Sequence, residues 1–140
     1  MYSLGLGLGF VHNIVFMIVC GHAFVLMFSV NHLTEDIVFP DKQLSVESRD
    51  WAALQVMTSS NFANDSAFWT FLSGGLNFQI EHHLFPGVNH MHLRSISPIV
   101  QQTCKEFGVP YHSFPTFATA VYSYYTHLKN LGNPAAGKVL

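Results

Sequence analysis

The sequence predicts an all-α membrane protein, with one transmembrane helix followed by interfacial and cytosolic helices. Hydrophobic residues make up 49% of the chain and charged residues only 10%, whereas soluble domains contain roughly 25% charged residues. Aromatic residues reach 14%, and residues 4–30 contain no Lys, Arg, Asp or Glu. The formal net charge of -2 gives no electrostatic reason to bind nucleic acid. Cys20 and Cys104 are too few for a disulfide framework.

The transmembrane helix is predicted over residues 1–31. As a helix, residues 4–30 extend about 40 Å, which exceeds the ~30 Å hydrocarbon core of a bilayer. A signal peptide is disfavoured because no Lys or Arg precedes Lys42. All six basic residues follow the helix, so we expect its C-terminal side to be cytosolic. His12 and His22 lie roughly 15 Å apart along the axis and cannot share one metal, whereas His32 lies at the membrane–water boundary.

The remainder of the chain is predicted to alternate loops with short helices. Residues 32–65 form a loop and a short interfacial helix over 51–60, with Asp50 as its N-cap. A turn over 61–65 precedes one continuous helix over 66–85, which Asn64 or Asp65 caps and Pro86 and Gly87 end. An amphipathic helix over 95–107 stops at Gly108, and a last helix covers 114–131. Residues 132–140 form a flexible tail.

A polar cluster lies at the end of the predicted 66–85 helix. Gln79, His82 and His83 fall within an arc of about 100°, and Glu81 projects to the opposite side. Imidazole nitrogens suit iron, zinc or copper, and adjacent histidines reach one metal each in a two-metal site more readily than they chelate a single ion. A pair of hydrogen-bonded core histidines remains the alternative. His90 and His92 are weaker candidates, because their spacing suits a solvated loop equally well.

The cluster resembles the third histidine box of membrane fatty acyl desaturases. The eleven residues Leu76-Asn-Phe-Gln-Ile-Glu-His-His-Leu-Phe-Pro86 fit that box, and Gln79 in place of its first histidine is typical of the front-end subgroup. Asn31 and His32 match the Asn-His that follows the last spanning helix in that family. The resemblance implies a four-helix bundle, with residues 66–131 as the C-terminal part of the desaturase domain. It also implies two irons bound by His32, His82, His83 and histidines outside this chain, with Gln79 and Asn31 acting on the ligands directly or through water.

The resemblance further implies the reaction and its partners. Such enzymes use dioxygen to insert a cis double bond into an unsaturated acyl chain of a membrane lipid or acyl-CoA. Electrons come from cytochrome b5, fused or separate, and its reductase, on the cytosolic face of the endoplasmic reticulum membrane. The first two histidine boxes are absent from these 140 residues. We therefore expect a C-terminal fragment that is inactive alone.

Three alternatives to this interpretation differ in how well they fit the sequence. A sphingolipid-base desaturase or hydroxylase of the same superfamily would share the histidine box. A non-catalytic desaturase remnant would keep the box without the reaction. A bis-histidine haem protein is disfavoured, because His22 has no histidine partner at the same membrane depth.

Overall fold

The first element of the computed structural model, which describes residues 2–37 and 50–133, is a single long helix. This helix, α1, covers Tyr2–His32 and ends one residue beyond the predicted range of 1–31. Its Gly5–His32 stretch is the one helix of the described chain that is long and apolar enough to cross a membrane. Most of its large apolar side chains, such as Phe10, Met17 and Val25, are exposed. An apolar exposed surface of this length is suited to lipid rather than to water.

The second helix begins where Asp50 caps it. Helix α2 covers Trp51–Met57, and the Asp50 carboxylate accepts the Ala52 N–H at 2.8 Å, so the predicted N-cap is confirmed. The predicted loop before it falls mainly on residues 38–49, which lie outside the described residues. After α2, strand β1 (Asn61–Phe62) pairs in parallel with strand β2 (Ser113–Phe114). The sequence did not predict this pairing, which ties the end of α2 to the segment before the last helix.

The predicted single helix over residues 66–85 is wrong. Helix α3 covers Ala67–Leu72, a 3-10 turn covers Leu76–Phe78, and helix α4 covers Gln79–Leu84. The break comes from Gly74 and Gly75, whose φ angles of 62° and 86° are left-handed and incompatible with a continuing helix. The predicted caps are also wrong, because Ser66 caps α3 by accepting the Trp69 N–H at 3.3 Å.

The last two helices follow the prediction with shifted starts. Helix α5 covers Leu93–Phe107 and ends at Gly108, as predicted, with a left-handed φ of 66°. It begins earlier than expected because a 3-10 turn over His90–His92 leads into it. Helix α6 covers Phe117–Leu131 and starts later than expected, because β2 precedes it and Thr116 forms a capping box with Thr119.

Two small apolar clusters hold these elements together. One joins the end of α1 to β1 and α6, and the other joins α2, α4 and α5. A hydrogen bond of 3.3 Å from Asn31 to Gln79 Oε1 places α4 beside the C-terminal end of α1. Their buried members are Val30, Phe62, Ala63 and Ala120 in the first, and Val56, Ile80, Val100 and Cys104 in the second.

Candidate metal centre

The side-chain amide of Gln79 joins two histidines from different helices. Its Nε2 atom lies 3.1 Å from Nε2 of His32, at the end of α1, and 2.9 Å from Nε2 of His83, one turn further along α4. Gln79 is only 2% exposed, and the ring centroids of His32 and His83 are 5.0 Å apart. The fold thus brings together three residues that the sequence singled out.

The hydrogen-bond partners determine which nitrogen of each imidazole carries its proton. An amide nitrogen only donates, so Nε2 of both rings must accept. The Nδ1–H groups then donate to oxygen, from His83 to Gln55 Oε1 at 3.0 Å and from His32 to the Thr58 carbonyl at 3.4 Å. Metal-binding histidines show this pattern, because an oxygen acceptor holds one nitrogen while the other offers its lone pair to the metal.

The His83 imidazole is neutral at physiological pH. Burial, together with the neighbouring imidazoles of His32 and His82, lowers the pKa of His83 from 6.5 to about 4. The lone pair on its Nε2 accepts from the Gln79 amide, and the neutral imidazole is the form in which histidine binds a metal. The Nε2 lone pairs of His32 and His83 converge on the partially positive amide nitrogen of Gln79. The position between the two rings therefore favours a positively charged group.

His82 lies at the edge of the cluster. It is half-buried, and its ring centroid is 6.0 Å from that of His83, with an angle of 60° between the ring planes. Within residues 2–37 and 50–133, no group of three or more His, Cys, Asp or Glu side chains could hold a metal ion. The donor chemistry fits iron, for which imidazole is a suitable ligand, but the described residues supply only part of a coordination shell.

Asn31 holds the Gln79 amide in its orientation. Its Nδ2 donates to Gln79 Oε1 at 3.3 Å and to the Leu76 carbonyl at 2.9 Å. Because this contact occupies the amide oxygen of Gln79, the amide nitrogen faces the histidines. Asn31 Oδ1 is buried and has no partner among the described residues, so one acceptor is available for a bound water.

Sequence reasoning missed Gln55 and Thr58, the two residues that hold the Nδ1 atoms. Thr58 acts through its backbone carbonyl, which a sequence motif does not reveal. Gln55 carries the only side-chain amide of α2 and lies among apolar residues. A lone amide on a short apolar helix is the signal that could have identified it.

The other histidines of interest lie outside the cluster. His90 and His92 are exposed on the 3-10 turn before α5, in keeping with their weak standing as candidates. His12 and His22 are exposed on α1, and His22 Nδ1 bonds to the Ile18 carbonyl at 2.7 Å. His22, the nearer of the two, is roughly 15 Å along the helix from His32, so neither His12 nor His22 is part of the site.

An apolar groove of about 450 Å³ lies next to the site, between α2, α4 and α5. Val56, Leu84 and Val100 are among the side chains that line it, and none of the four residues Gln79, His32, His82 and His83 is. The groove therefore shares two helices with the cluster but is separate from its polar atoms.

The fold and the cluster together define a class of protein. One helix is long and apolar enough to cross a membrane. Buried amides and the imidazoles of His32 and His83 lie at its C-terminal end. These features define a membrane protein with a candidate metal centre at the end of its spanning helix. The sequence matches the fatty acid desaturase family over residues 1–115. The chain belongs to that family, and its homologues are oxidoreductases.

Curated relatives with known names are similar to most of the chain. The acyl-lipid (8-3)-desaturase of Physcomitrium patens is 48% identical over 115 residues, which cover 82% of this chain and 24% of the relative. The sn-1 linoleoyl-lipid 6-desaturase of Synechocystis is 39% identical over 108 residues, 76% of this chain and 30% of the relative. The acyl-lipid (8-3)-desaturase of Mortierella alpina is 42% identical over 108 residues, 76% of this chain and 24% of the relative.

This chain therefore spans between about a quarter and a third of the length of these relatives. No solved structure matches it significantly.

Proposed function

We propose that the cluster around His32 and His83 is part of the di-iron site of a membrane fatty acyl desaturase. One observation carries the proposal: the Nε2 atoms of both histidines face the same amide nitrogen while oxygen atoms hold their Nδ1 atoms. His82 is the third proposed ligand and lies next to His83. Further donors complete the shells, because two irons need more ligands than three imidazoles.

The protein's own contribution to the reaction is orientation and shielding. When bound, the irons would use one dioxygen, two electrons and two protons to convert –CH2–CH2– of an acyl chain into a cis double bond and two waters. Gln55 and the Thr58 carbonyl keep the two imidazoles in the ligating tautomer. The Gln79 amide occupies the two Nε2 lone pairs that the irons would take over. The ring of Phe28, whose centroid lies 4.7 Å from that of His32, limits water on one side of an oxidising centre. Cytochrome b5 and its reductase supply the electrons.

The proposed substrate is an unsaturated acyl chain of a membrane lipid or acyl-CoA. The names of the relatives support an acyl lipid, because they are acyl-lipid and linoleoyl-lipid desaturases, and this favours an acyl substrate over a sphingolipid base. The end of α1 supports a site at the membrane boundary, which we assign to the cytosolic face of the endoplasmic reticulum.

A chimera tests the proposal in a complete enzyme. In this chimera, the present chain replaces the segment that it matches in the Physcomitrium patens relative. The chimera is expressed in yeast supplied with that enzyme's lipid substrate, and the fatty acids are measured by gas chromatography and mass spectrometry. We expect desaturated product from the chimera and none from its His82→Ala and His83→Ala variants.

The matched control is His90→Ala, since His90 is an exposed histidine outside the cluster. It should retain the activity of the parent chimera. A chimera that reaches the relative's level in the membrane but makes no product would contradict the proposal and favour a non-catalytic remnant. Full product from both His82→Ala and His83→Ala would remove the ligand assignment.

A further inference from the structure

Helix α4 carries a carboxylate that the proposed iron chemistry does not use. Glu81 is fully buried, with 0% exposure, and lies on the side of α4 opposite Gln79. A buried carboxylate is costly unless its oxygens are hydrogen-bonded. Its two partners are an amide and a phenol rather than a cation: Asn61 Nδ2 donates to Oε2 at 2.7 Å, and the Tyr111 hydroxyl donates to Oε1 at 2.7 Å.

The hydrogen bonds among Asn61, Glu81 and Tyr111 indicate where the Tyr111 proton lies. Asn61 Nδ2 uses its second hydrogen on the Tyr111 oxygen at 2.6 Å, and Ser97 Oγ lies 3.1 Å from the same oxygen. The proton of Tyr111 is therefore left for Glu81 Oε1. Burial and the nearby Glu81 raise the pKa of Tyr111 well above its ordinary value of 10, so the phenol remains a donor. Each group is held in one orientation.

The same asparagine also holds the backbone at the start of α4. Asn61 Oδ1 accepts the Ile80 N–H at 2.9 Å, whereas Phe78, the N-cap residue of α4, makes no side-chain cap bond. Asn61 thus binds both a backbone donor and a side chain of one helix. Tyr111, from beyond α5, binds that side chain from a second direction. We call Asn61, Glu81 and Tyr111 the clamp.

A helix as short as α4 needs such a clamp. It covers only Gln79–Leu84, and a single helical turn is marginal by itself. Side-chain atoms lie roughly 5 Å from a helix axis, so a rotation of about 20° moves them by about 2 Å. Functional groups must be held within about 0.5 Å. A small rotation of α4 would therefore break the 3.1 Å contact between Gln79 and His32, which lies on α1.

We propose that Glu81 is a positioning residue: held by Asn61 and Tyr111, it fixes the rotation of α4 and so aims His82 and His83 at the irons. This inference rests on the proposed function. Glu81 touches neither substrate nor metal and acts through the two histidines that follow it. Losing such a residue lowers turnover while leaving lipid binding unchanged.

The test compares two substitutions of Glu81 in the chimera. Gln keeps the size and can still accept from Asn61 while it donates to the Tyr111 oxygen, so E81Q retains the clamp. Leu keeps a similar volume without any polar atom, so E81L removes it. We expect E81L to lower kcat about tenfold or more, the range typical of groups that orient metal ligands. KM and membrane protein level should stay within about twofold, and E81Q should restore most of the turnover.

If E81L does not accumulate in the membrane, Tyr111→Phe provides an independent variant of the clamp. Its control is Tyr122→Phe, because Tyr122 is 71% exposed. A second readout needs no iron. In the 140-residue chain with 15N-labelled histidine, the NMR signals of His83 should show Nδ1 protonated, and Tyr111→Phe should disturb that signal while the His22 signal is unchanged.

The outcomes separate the two proposals. An inactive parent chimera, or an active His83→Ala variant, overturns the proposed function. An active parent with an inactive His83→Ala variant but normal E81L and Tyr111→Phe variants overturns the positioning role alone. A loss of activity that matches a loss of protein, with the His83 signal unchanged in Tyr111→Phe, also overturns it, since Glu81 would then serve stability only.

Discussion

Replacing Gln79 by Met removes the amide at the centre of the cluster and keeps the length of the side chain. Two hydrogen bonds to imidazoles are lost, at 2.9 and 3.1 Å, together with the longer one from Asn31 at 3.3 Å. Because Asn31 keeps its bond to the Leu76 carbonyl at 2.9 Å, the two imidazole bonds are the main loss. Neutral hydrogen bonds contribute about 1 kcal/mol each. Q79M should therefore lower the free energy of unfolding by about 2 kcal/mol, which corresponds to a decrease of roughly 5–10 °C in Tm for a domain of this size.

Thermal unfolding in detergent, followed by the fluorescence of Trp51 and Trp69, measures this change. The matched control is Gln102→Met, because Gln102 is exposed on α5 and bonds to nearby Glu106 at 2.8 Å. Exposed pairs of this kind contribute under about 0.5 kcal/mol. A Tm for Q79M equal to that of Gln102→Met would mean that the Gln79 amide does not bridge the two histidines.

Three other predictions concern the backbone, the ionisation and the limits of the site. Gly75→Ala places a Cβ 2.6 Å from the His90 Cβ, at a residue with a left-handed φ of 86°. It should lower the free energy of unfolding by roughly 2–4 kcal/mol. Gly74→Ala, with open space around it, should cost about 1 kcal/mol, and His90→Gly should partly rescue Gly75→Ala in thermal unfolding. An NMR titration should give His83 a pKa of about 4, below the ordinary 6.5. Between pH 6.5 and pH 4 the unfolded chain binds a proton at His83 that the folded chain does not bind. The free energy of unfolding should therefore decrease as the pH falls through this range. His12→Leu should leave product formation by the chimera unchanged, since His12 lies about 30 Å along the helix from His32, and a loss of product would contradict the placement of the site.

The sequence predicted those elements that local patterns determine. The uncharged run over residues 4–30 specified α1, Gly108 specified the end of α5, and Asp50 specified the start of α2. The facing of Gln79 and His83 followed from helical spacing alone, and Glu81 lies on the opposite side as expected.

Contacts between distant segments were not predictable in the same way. The parallel pairing of Asn61 with Ser113 depends on the tertiary fold, and a two-residue strand has no pattern of its own. The break at Gly75 was missed because Gln79, His82 and His83 were interpreted as part of one long helix. The break nevertheless creates the site, since it starts α4 at Gln79 and leaves the Leu76 carbonyl to accept from Asn31.

The number of irons retained per molecule of purified chimera tests the central claim most directly. Elemental analysis of the parent and of the His32→Ala, His83→Ala and His90→Ala variants gives that number. We expect His90→Ala to keep the iron of the parent, and His32→Ala and His83→Ala each to lose iron. Full iron content in a variant that lacks both His32 and His83 would contradict the assignment of this cluster as a metal centre.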